Sequence, residues 1–184
     1  MNRSLFYLFS ICLFAVGCGN LHVNYENEIE KAKSDMDSKI ISLTKNVDSC
    51  FVNNIQEDDT SVKEKNQVTY DVIKETSNYL DSLRRYMNSL NTLDVSNMEL
   101  VTREFGKKML FDSVLNKTNN CYLAVKELMT SDQRKFKIDS IVNDLNAKFR
   151  HETFEAWTPI AMSSVLFSID SNLLSISTTC TWTK

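Results

Sequence analysis

The sequence has very few of the residues that form tight turns or interrupt helices. Its 184 residues include three glycines and one proline. Two-residue hairpin turns and phosphate-binding loops both depend on glycine, so antiparallel sheets and nucleotide-binding loops have little support. Leu, Ile, Lys and Glu are common instead, and most of them are good helix formers. The composition therefore predicts an all-α protein.

Side chains for catalysis and metal binding are also scarce. There are two histidines, His22 and His151, and the second begins the stretch H-E-T-F-E. A zinc-binding H-E-x-x-H motif needs a histidine where Glu155 stands, so this stretch does not predict a metal site. With little material for general acid–base catalysis, the sequence predicts a protein that is not an enzyme and has no cofactor.

Neither sign of charge dominates the chain. Lys and Arg number 21 and Asp and Glu number 24, which gives a net charge of −3. Nucleic-acid-binding domains usually carry a strongly basic surface, so nucleic acid is not an expected partner. The length is sufficient for one domain with one modest hydrophobic core.

The beginning of the chain resembles a bacterial lipoprotein signal peptide. Arg3 supplies the positive end, residues 5–14 form an apolar segment, and the sequence A-V-G-C that ends at Cys18 resembles a lipobox. An uncleaved signal anchor is the alternative, but the apolar segment is short for a membrane span. We expect residues 1–17 to be removed and residues 18–24 to form a lipidated tether.

Lipidation would also determine where the protein resides. Cys18 is expected to carry a diacylglycerol and a further acyl chain such as palmitate. Several acyl chains, each stabilised by about 0.8 kcal/mol per buried methylene, make an effectively permanent anchor. The protein is therefore expected in the cell envelope, attached to a bacterial membrane. The outer membrane is the expected one, with the domain facing the periplasm or the cell surface.

Residues 25–184 are expected to form one helical bundle domain. Apolar residues recur at three- and four-residue spacing in four long stretches, which predicts an up-down bundle of about four long helices. These stripes begin at Ile29, Val72, Leu110 and Met162. The segment 91–106 is expected to be a polar loop with a short turn. A short amphipathic element at 138–145 is predicted before the last helix, although the alternation at 135–138 also fits a strand.

The last helix is expected to organise the bundle. Thr158 suits an N-cap and Pro159 suits the first helical position. Beyond them, Met162, Ile169 and Ile176 recur every seven residues. They form an apolar face that other helices must cover.

Two polar groups in the second helix are interpreted as structural. Tyr70, Tyr79 and Tyr86 could stack on a ligand, but aromatic residues at helical spacing usually pack in a core or groove. Arg84 and Arg85 lie in the C-terminal half of the helix, where a basic pair commonly complements the helix dipole. Neither group is predicted to bind a ligand.

Three cysteines remain if Cys12 is removed with the leader and Cys18 is acylated. They are Cys50, Cys121 and Cys180, and each lies on or near an apolar stripe. Buried thiols and one disulfide are both compatible with this placement, and a catalytic triad is not expected. A Cys121–Cys180 disulfide would join the third and fourth long helices.

Part of the sequence resembles a known protein family. The stretch F-E-A-W-T-P-I-A-M at 154–162, followed by L-F-S-I-D-S-N at 166–172, is similar to the end of the N-terminal periplasmic domain of GldM/PorM. In the same order, Y-L-D-S-L-R-R at 79–85 is similar to a helical stretch of that family. The residues T-R-E-F-G-K at 102–107 are similar to the loop before its next helix.

The resemblance implies a helical bundle without enzymatic activity. GldM and PorM belong to the gliding-motility and type IX secretion machinery of Bacteroidetes and span the periplasm as dimers above an inner-membrane motor. This chain has a lipobox where the family has a transmembrane helix, and it ends at Lys184, before the family's later β-rich domains. We therefore expect a short, lipid-anchored relative.

The expected function is to bind another envelope protein or a second copy of the chain, as a homodimer, through protein–protein contacts. The gliding-motility or type IX secretion machinery is the assembly that the resemblance indicates. The alternative is a ligand-binding or sensory bundle that holds a small apolar molecule between its helices.

Overall fold

The structure, a computed structural model, describes residues 19–54, 60–90, 95–103, 105, 110–129, 131–148 and 158–178. These residues form six helices and no strand, and the helices pack as a bundle. The helices are α1 Gly19–Asn54, α2 Thr60–Ser89, α3 Val95–Thr102, α4 Leu110–Glu127, α5 Asp132–Lys148 and α6 Pro159–Ser177. The predicted all-α bundle is confirmed.

By its internal contacts the chain divides into two compact units, Met1–Met36 and Asp37–Lys184. The described part of the first unit is the beginning of α1. There Lys33 pairs with Glu30 one turn earlier at 2.7 Å. The second unit contains the rest of α1 and helices α2 to α6, and these share one hydrophobic core.

Helix α6 lies against α2 and also contacts α3 and α4. Its start follows the prediction, because Thr158 has an extended backbone and its Oγ1 accepts a hydrogen bond from the Ala161 amide at 3.3 Å. The predicted line Met162, Ile169 and Ile176 is buried, with at most 7% of each side chain exposed. The prediction that other helices cover this face is therefore confirmed.

Helix α6 is long and apolar enough to cross a membrane, by length and composition alone. Half of its apolar window is buried inside the protein. The helix also carries the buried polar residues Ser163, Asp170 and Ser177. Such a helix is typical of the centre of a bundle, where apolar residues surround the helix on several sides.

Helix α2 packs between two neighbouring helices. Its buried line consists of Ile73, Leu80 and Met87, each fully covered. The helix runs antiparallel to α4, since Lys65 near its start pairs with Glu127 at the end of α4, and Glu75 pairs with Lys117 further along. Helix α2 therefore contacts both α4 and α6.

The connection after α2 differs from the prediction. A loop was expected over 91–106, but residues Val95–Thr102 form α3. Val101 and Phe105 are buried, and the Phe105 ring packs on Phe111 with 5.0 Å between centroids. Two turns are too short to show a helical period in the sequence, and it is the burial of these side chains that stabilises the segment.

The element before α6 also differs from the prediction. Helix α5 covers 17 residues rather than the short piece expected at 138–145. Ile138 and Leu145 are buried one heptad apart, whereas Phe136 is 75% exposed. The strand alternative at 135–138 is wrong, because a single helical face carries the buried residues. The described bundle thus has six helices rather than four long ones and one short element.

Candidate functional site

Several of the residues that the sequence singles out lie outside the described residues. These are Cys18, the predicted lipidation site, Cys180, the predicted partner of Cys121, and the stretch 151–155. Cys18 lipidation and the Cys121–Cys180 disulfide therefore stay predictions. Cys121 itself is fully buried in α4. No group of His, Cys, Asp and Glu suited to a metal ion occurs in the described part of the chain.

Cys50 lies close to the end of the described chain. Its thiol donates to the carbonyl oxygen of Thr178 at 3.8 Å. Cys180 follows Thr178 by two residues in the sequence. The contact therefore joins the end of α1 to the residue that follows α6.

The tyrosines of α2 do not form a ligand-stacking row. Tyr70 stacks on Phe51 with ring centroids 3.9 Å apart, and its hydroxyl donates to Asp48 at 2.8 Å. Burial, with a further contribution from Asp48, raises the pKa of Tyr70 to about 12. Tyr79 is half-buried against the core, but Tyr86 is exposed. The packing interpretation is confirmed for the first two tyrosines.

Arg84 is a buried cation between α1 and α2. Only 1% of its side chain is exposed, and its Nη2 donates to Asp37 on α1 at 2.5 Å and to Asp81 on α2. Its Nε and Nη1 have no hydrogen-bond partner among the described residues. A buried guanidinium is stable only when charges and acceptors compensate it. Here the acceptors bind only the Nη2 atom of the guanidinium.

Asp81 and Arg85 extend this ion pair toward the surface. Arg85 Nε donates to Asp81 Oδ2 at 2.6 Å. Burial opposes ionisation of Asp81, but the hydrogen bonds from Arg85 and Arg84 outweigh it and lower the pKa of the carboxyl. Asp81 is therefore ionised at neutral pH and compensates part of the Arg84 charge.

Asp170 is a buried carboxyl on α6 that faces the same region. It is 1% exposed, and neither carboxyl oxygen has a partner with hydrogen-bond geometry in the described part of the chain. Burial raises the pKa of Asp170 to about 7, while the nearby Ser77 hydroxyl and Arg84 lower it and Asp81 raises it. At neutral pH the carboxyl is therefore populated in both protonated and ionised forms.

Further polar side chains surround this region. Tyr122 of α4 is 1% exposed, and burial raises the pKa of its hydroxyl, with charge on Cys121 and Asp170 acting in the same direction. Two turns from Asp170, Ser163 donates to Asn88 of α2 at 2.6 Å. We call Asp37, Ser77, Asp81, Arg84 and Asp170 the Arg84–Asp170 cluster.

The cluster has a solvent side and an interior side. A groove of about 270 Å³ between α1 and α2 is lined by Asp37, Ser77 and Asp81 among others. The side chains of Asp37 and Asp81 are 39% and 22% exposed, whereas Arg84 and Asp170 are covered. The two carboxylates that bind Arg84 therefore lie at the groove, whereas Arg84 and Asp170 lie in the interior.

A second feature is an accumulation of exposed apolar side chains at one end of the second unit. Four of the six large apolar residues exposed among the described residues are Val52, Val68, Leu123 and Phe136, which are 55–75% exposed. They lie near the end of α1, the start of α2, the end of α4 and the start of α5. At this end the Lys65–Glu127 pair joins α2 to α4, and the Lys126–Asp139 pair joins α4 to α5.

We call these four residues the apolar end. Val68 and Leu123 line an open groove of about 370 Å³ between α2 and α4, with Lys65 and Glu127 on its margin. The other two exposed apolar residues, Ile41 and Tyr86, lie toward the opposite end, near the Asp37–Arg84 pair. Val68 and Leu123 share this groove, and exposed apolar residues that lie together commonly mark an interaction site, whereas single exposed residues do not.

The Arg84–Asp170 cluster was not predicted from the sequence, although the residue pattern contains a sign of it. Arg84 stands four residues after Leu80 and three before Met87, on a buried line of α2. The sequence predicts a structural role for Arg84 at the C-terminal part of the helix, and the structure shows that the side chain is buried and paired with Asp37 and Asp81. Asp170 has the corresponding position in α6, between Leu166 and Leu173. A lone charge inside an apolar stripe was the signal that could have identified both residues.

No protein-family model, no curated protein and no solved structure matches this sequence or its fold.

Proposed function

We propose that this chain is a non-enzymatic, lipid-anchored protein of the bacterial envelope that acts through protein–protein contacts. The lipobox-like sequence that ends at Cys18 supports the anchor. The observation that carries the contact role is the apolar end, where Val52, Val68, Leu123 and Phe136 are all more than half exposed.

The composition of the apolar end fits a protein interface. Taking a fully exposed Val, Leu or Phe side chain out of water contributes about 1.5–3 kcal/mol. The four side chains are 55–75% exposed, so a partner that covers several of them gains a corresponding fraction of that free energy from each. Lys65 and Glu127 beside the groove are 51% and 69% exposed. An apolar centre with charged residues at its margin is the usual anatomy of a protein interface.

The resemblance to GldM/PorM supports a choice of partner. It favours an envelope assembly of the gliding-motility or type IX secretion kind, with this chain as a short relative held by lipid. A second copy of the chain is the other proposed partner, since the family members act as dimers. Both proposals depend on the stretches at 79–85, 102–107 and 154–172.

The alternative, a small apolar molecule held between the helices, receives less support. Such a ligand usually occupies an enclosed cavity with a mainly apolar lining. The two grooves described above are open to solvent and include charged residues such as Asp81, Arg85, Lys65 and Glu127. They are better suited to contacts with a protein surface.

The anchor is tested by metabolic labelling with radioactive palmitate. The full chain should incorporate label, and the Cys18→Ser variant should not. The variant should also leave the membrane fraction. Equal labelling of the two proteins would refute lipidation at Cys18.

The contact role is tested by site-specific photo-crosslinking in intact cells. A photoreactive phenylalanine analogue replaces Leu123 or Phe136 in the full chain, and the matched controls carry it at Ile41 or Tyr86. All four positions are exposed, so neither set should perturb folding. We expect a discrete crosslinked product from the apolar end and none from the controls. The same product from all four positions, or none from any, would contradict the proposal.

A further inference from the structure

Arg84 and Asp170 are both buried, and each has hydrogen-bonding atoms that are not used. Arg84 binds Asp37 and Asp81 through Nη2 alone, and its Nε and Nη1 have no partner among the described residues. Both carboxyl oxygens of Asp170 also lack a partner with hydrogen-bond geometry among the described residues, although the Ser77 hydroxyl lies close enough to favour the ionised form. The two groups lie close enough to interact electrostatically, since the guanidinium favours ionisation of the carboxyl.

These unused atoms are complementary to one another. The Nε and Nη1 edge of arginine offers two donors in the geometry that a carboxylate accepts. While Asp170 is protonated, it has little attraction for the cation, and Arg84 remains with Asp37 and Asp81. When Asp170 loses its proton, a negative charge is buried beside the Ser77 hydroxyl, and a direct pair with Arg84, the cation that already favours this ionisation, would compensate the charge.

Asp37 is the partner that Arg84 can leave most easily. Its side chain is 39% exposed, so water can solvate its charge after the guanidinium moves away. Asp81 is 22% exposed and keeps its bond to Arg85 in either arrangement. A shift of Arg84 toward α6 therefore weakens the contact between α1 and α2 and strengthens the contact between α2 and α6.

We propose that Arg84 is a switch residue that exchanges its ion-pair partner from Asp37 on α1 to Asp170 on α6 when Asp170 is ionised. In this step the O–H bond of the carboxyl breaks, the proton passes to water, and no other covalent bond changes. The device operates close to neutrality, because the pKa of Asp170 is raised to about 7 by its burial.

Asp170 is the group of this region that we expect to change its charge near neutral pH. The groups that face it or its partner are Asp37 from α1, Ser77, Asp81 and Arg84 from α2, and Tyr122 from α4. The pKa of Asp81 is lowered and that of Tyr122 is raised, so neither changes charge near neutrality. Helix α3 also contacts α6, but its acidic residue Glu99 is exposed.

Hydrogen exchange of the full chain in detergent micelles tests the switch. Amide protection factors, corrected for intrinsic rates, are measured at residues 37–44 between pH 5.5 and 8.5. We expect protection there to fall roughly threefold across neutrality, the size that a partly exposed ion pair produces. Asp170→Asn cannot ionise and should remove the fall.

The matched control is Asp48→Asn. Asp48 also joins α1 to α2, through Tyr70 and Lys74, but lies outside the cluster. It should lower protection by a similar amount at every pH and keep the transition of the unchanged chain. An Asp170→Asn protein with the same transition as the unchanged chain would overturn the switch.

A second measurement needs no substitution. The carboxyl carbon of Asp170 is followed by NMR during a pH titration, together with the carboxyl carbon of Asp37. The proposal requires Asp170 to titrate between about pH 6 and 8, and the Asp37 signal to shift with the same midpoint. A midpoint below pH 5 for Asp170, or an unchanged Asp37 signal, would overturn it.

Discussion

Replacing Asp170 by asparagine should change how the stability of the bundle depends on pH. The side chains have nearly the same shape, but asparagine cannot ionise. The ordinary pKa of an aspartate, 3.8, describes Asp170 in the unfolded chain, and burial raises the pKa in the folded protein to about 7. This difference corresponds to about 4 kcal/mol at 1.36 kcal/mol per pKa unit.

The sign follows from the raised pKa in the folded state. Below pH 3.8 Asp170 is protonated in both states and its ionisation costs nothing. Between about pH 4 and 7 the unfolded chain releases the proton first, so the free energy of unfolding falls as pH rises. Above about pH 7 the full cost is present and the contribution becomes constant.

Urea denaturation followed by circular dichroism measures this effect. Unfolding free energies of the unchanged chain and of Asp170→Asn are compared at intervals from pH 4 to 8, with Asp48→Asn as a control for a half-exposed carboxyl. The Asp170→Asn protein can be less stable by about 1–3 kcal/mol at every pH if the donors of the new amide stay unpaired. The informative quantity is therefore the change in the difference between the two proteins.

The unfolding free energy of Asp170→Asn minus that of the unchanged chain should increase by about 4 kcal/mol from pH 4 to 8. The Asp48→Asn protein should run parallel to the unchanged chain. If Asp170→Asn also runs parallel to the unchanged chain, Asp170 is not a carboxyl whose ionisation opposes folding, and the reasoning about its burial is refuted.

Two other substitutions test the packing. Leu173→Ala removes a fully buried side chain of α6 and should reduce the free energy of unfolding by about 2–5 kcal/mol in the same denaturation assay. The matched change Leu123→Ala, at a 55% exposed position, should cost far less. Equal losses would mean that α6 is not in the core. Thr158→Ala removes the N-cap hydrogen bond to Ala161 and should cost about 1 kcal/mol. Thr158→Ser keeps a hydroxyl and should recover most of that loss, and an alanine variant as stable as the serine variant would contradict the cap.

The helical class and the central helix could be predicted from the sequence because both follow from repeated local patterns. Scarce glycine and proline exclude most turns, and Met162, Ile169 and Ile176 repeat often enough to define a face. Helix α3 could not be predicted, because eight residues show no clear period and its stability depends on the distant partner of Phe105. Short helices are generally stabilised by tertiary contacts rather than by local preference.

The cluster was harder to predict for a different reason. The sequence of a single helix is enough to recognise a polar residue within an apolar stripe. It does not show which residue of another helix is the partner. Arg84 and Asp170 are 86 residues apart in the sequence, and only the antiparallel packing of α2 on α6 brings them to the same level. The same limit applies to the apolar end, which combines residues from four helices.

The contact between Cys50 and Thr178 has a practical consequence for fusion proteins. It fixes the end of the described chain beside the last turns of α1, two residues from Val52. The six residues that follow Thr178 can reach at most about 20 Å. An affinity tag or fluorescent protein joined to Lys184 would therefore be attached within about 20 Å of the last turns of α1, where it can hinder a partner that docks near Val52. Reporters for partner capture are better inserted elsewhere.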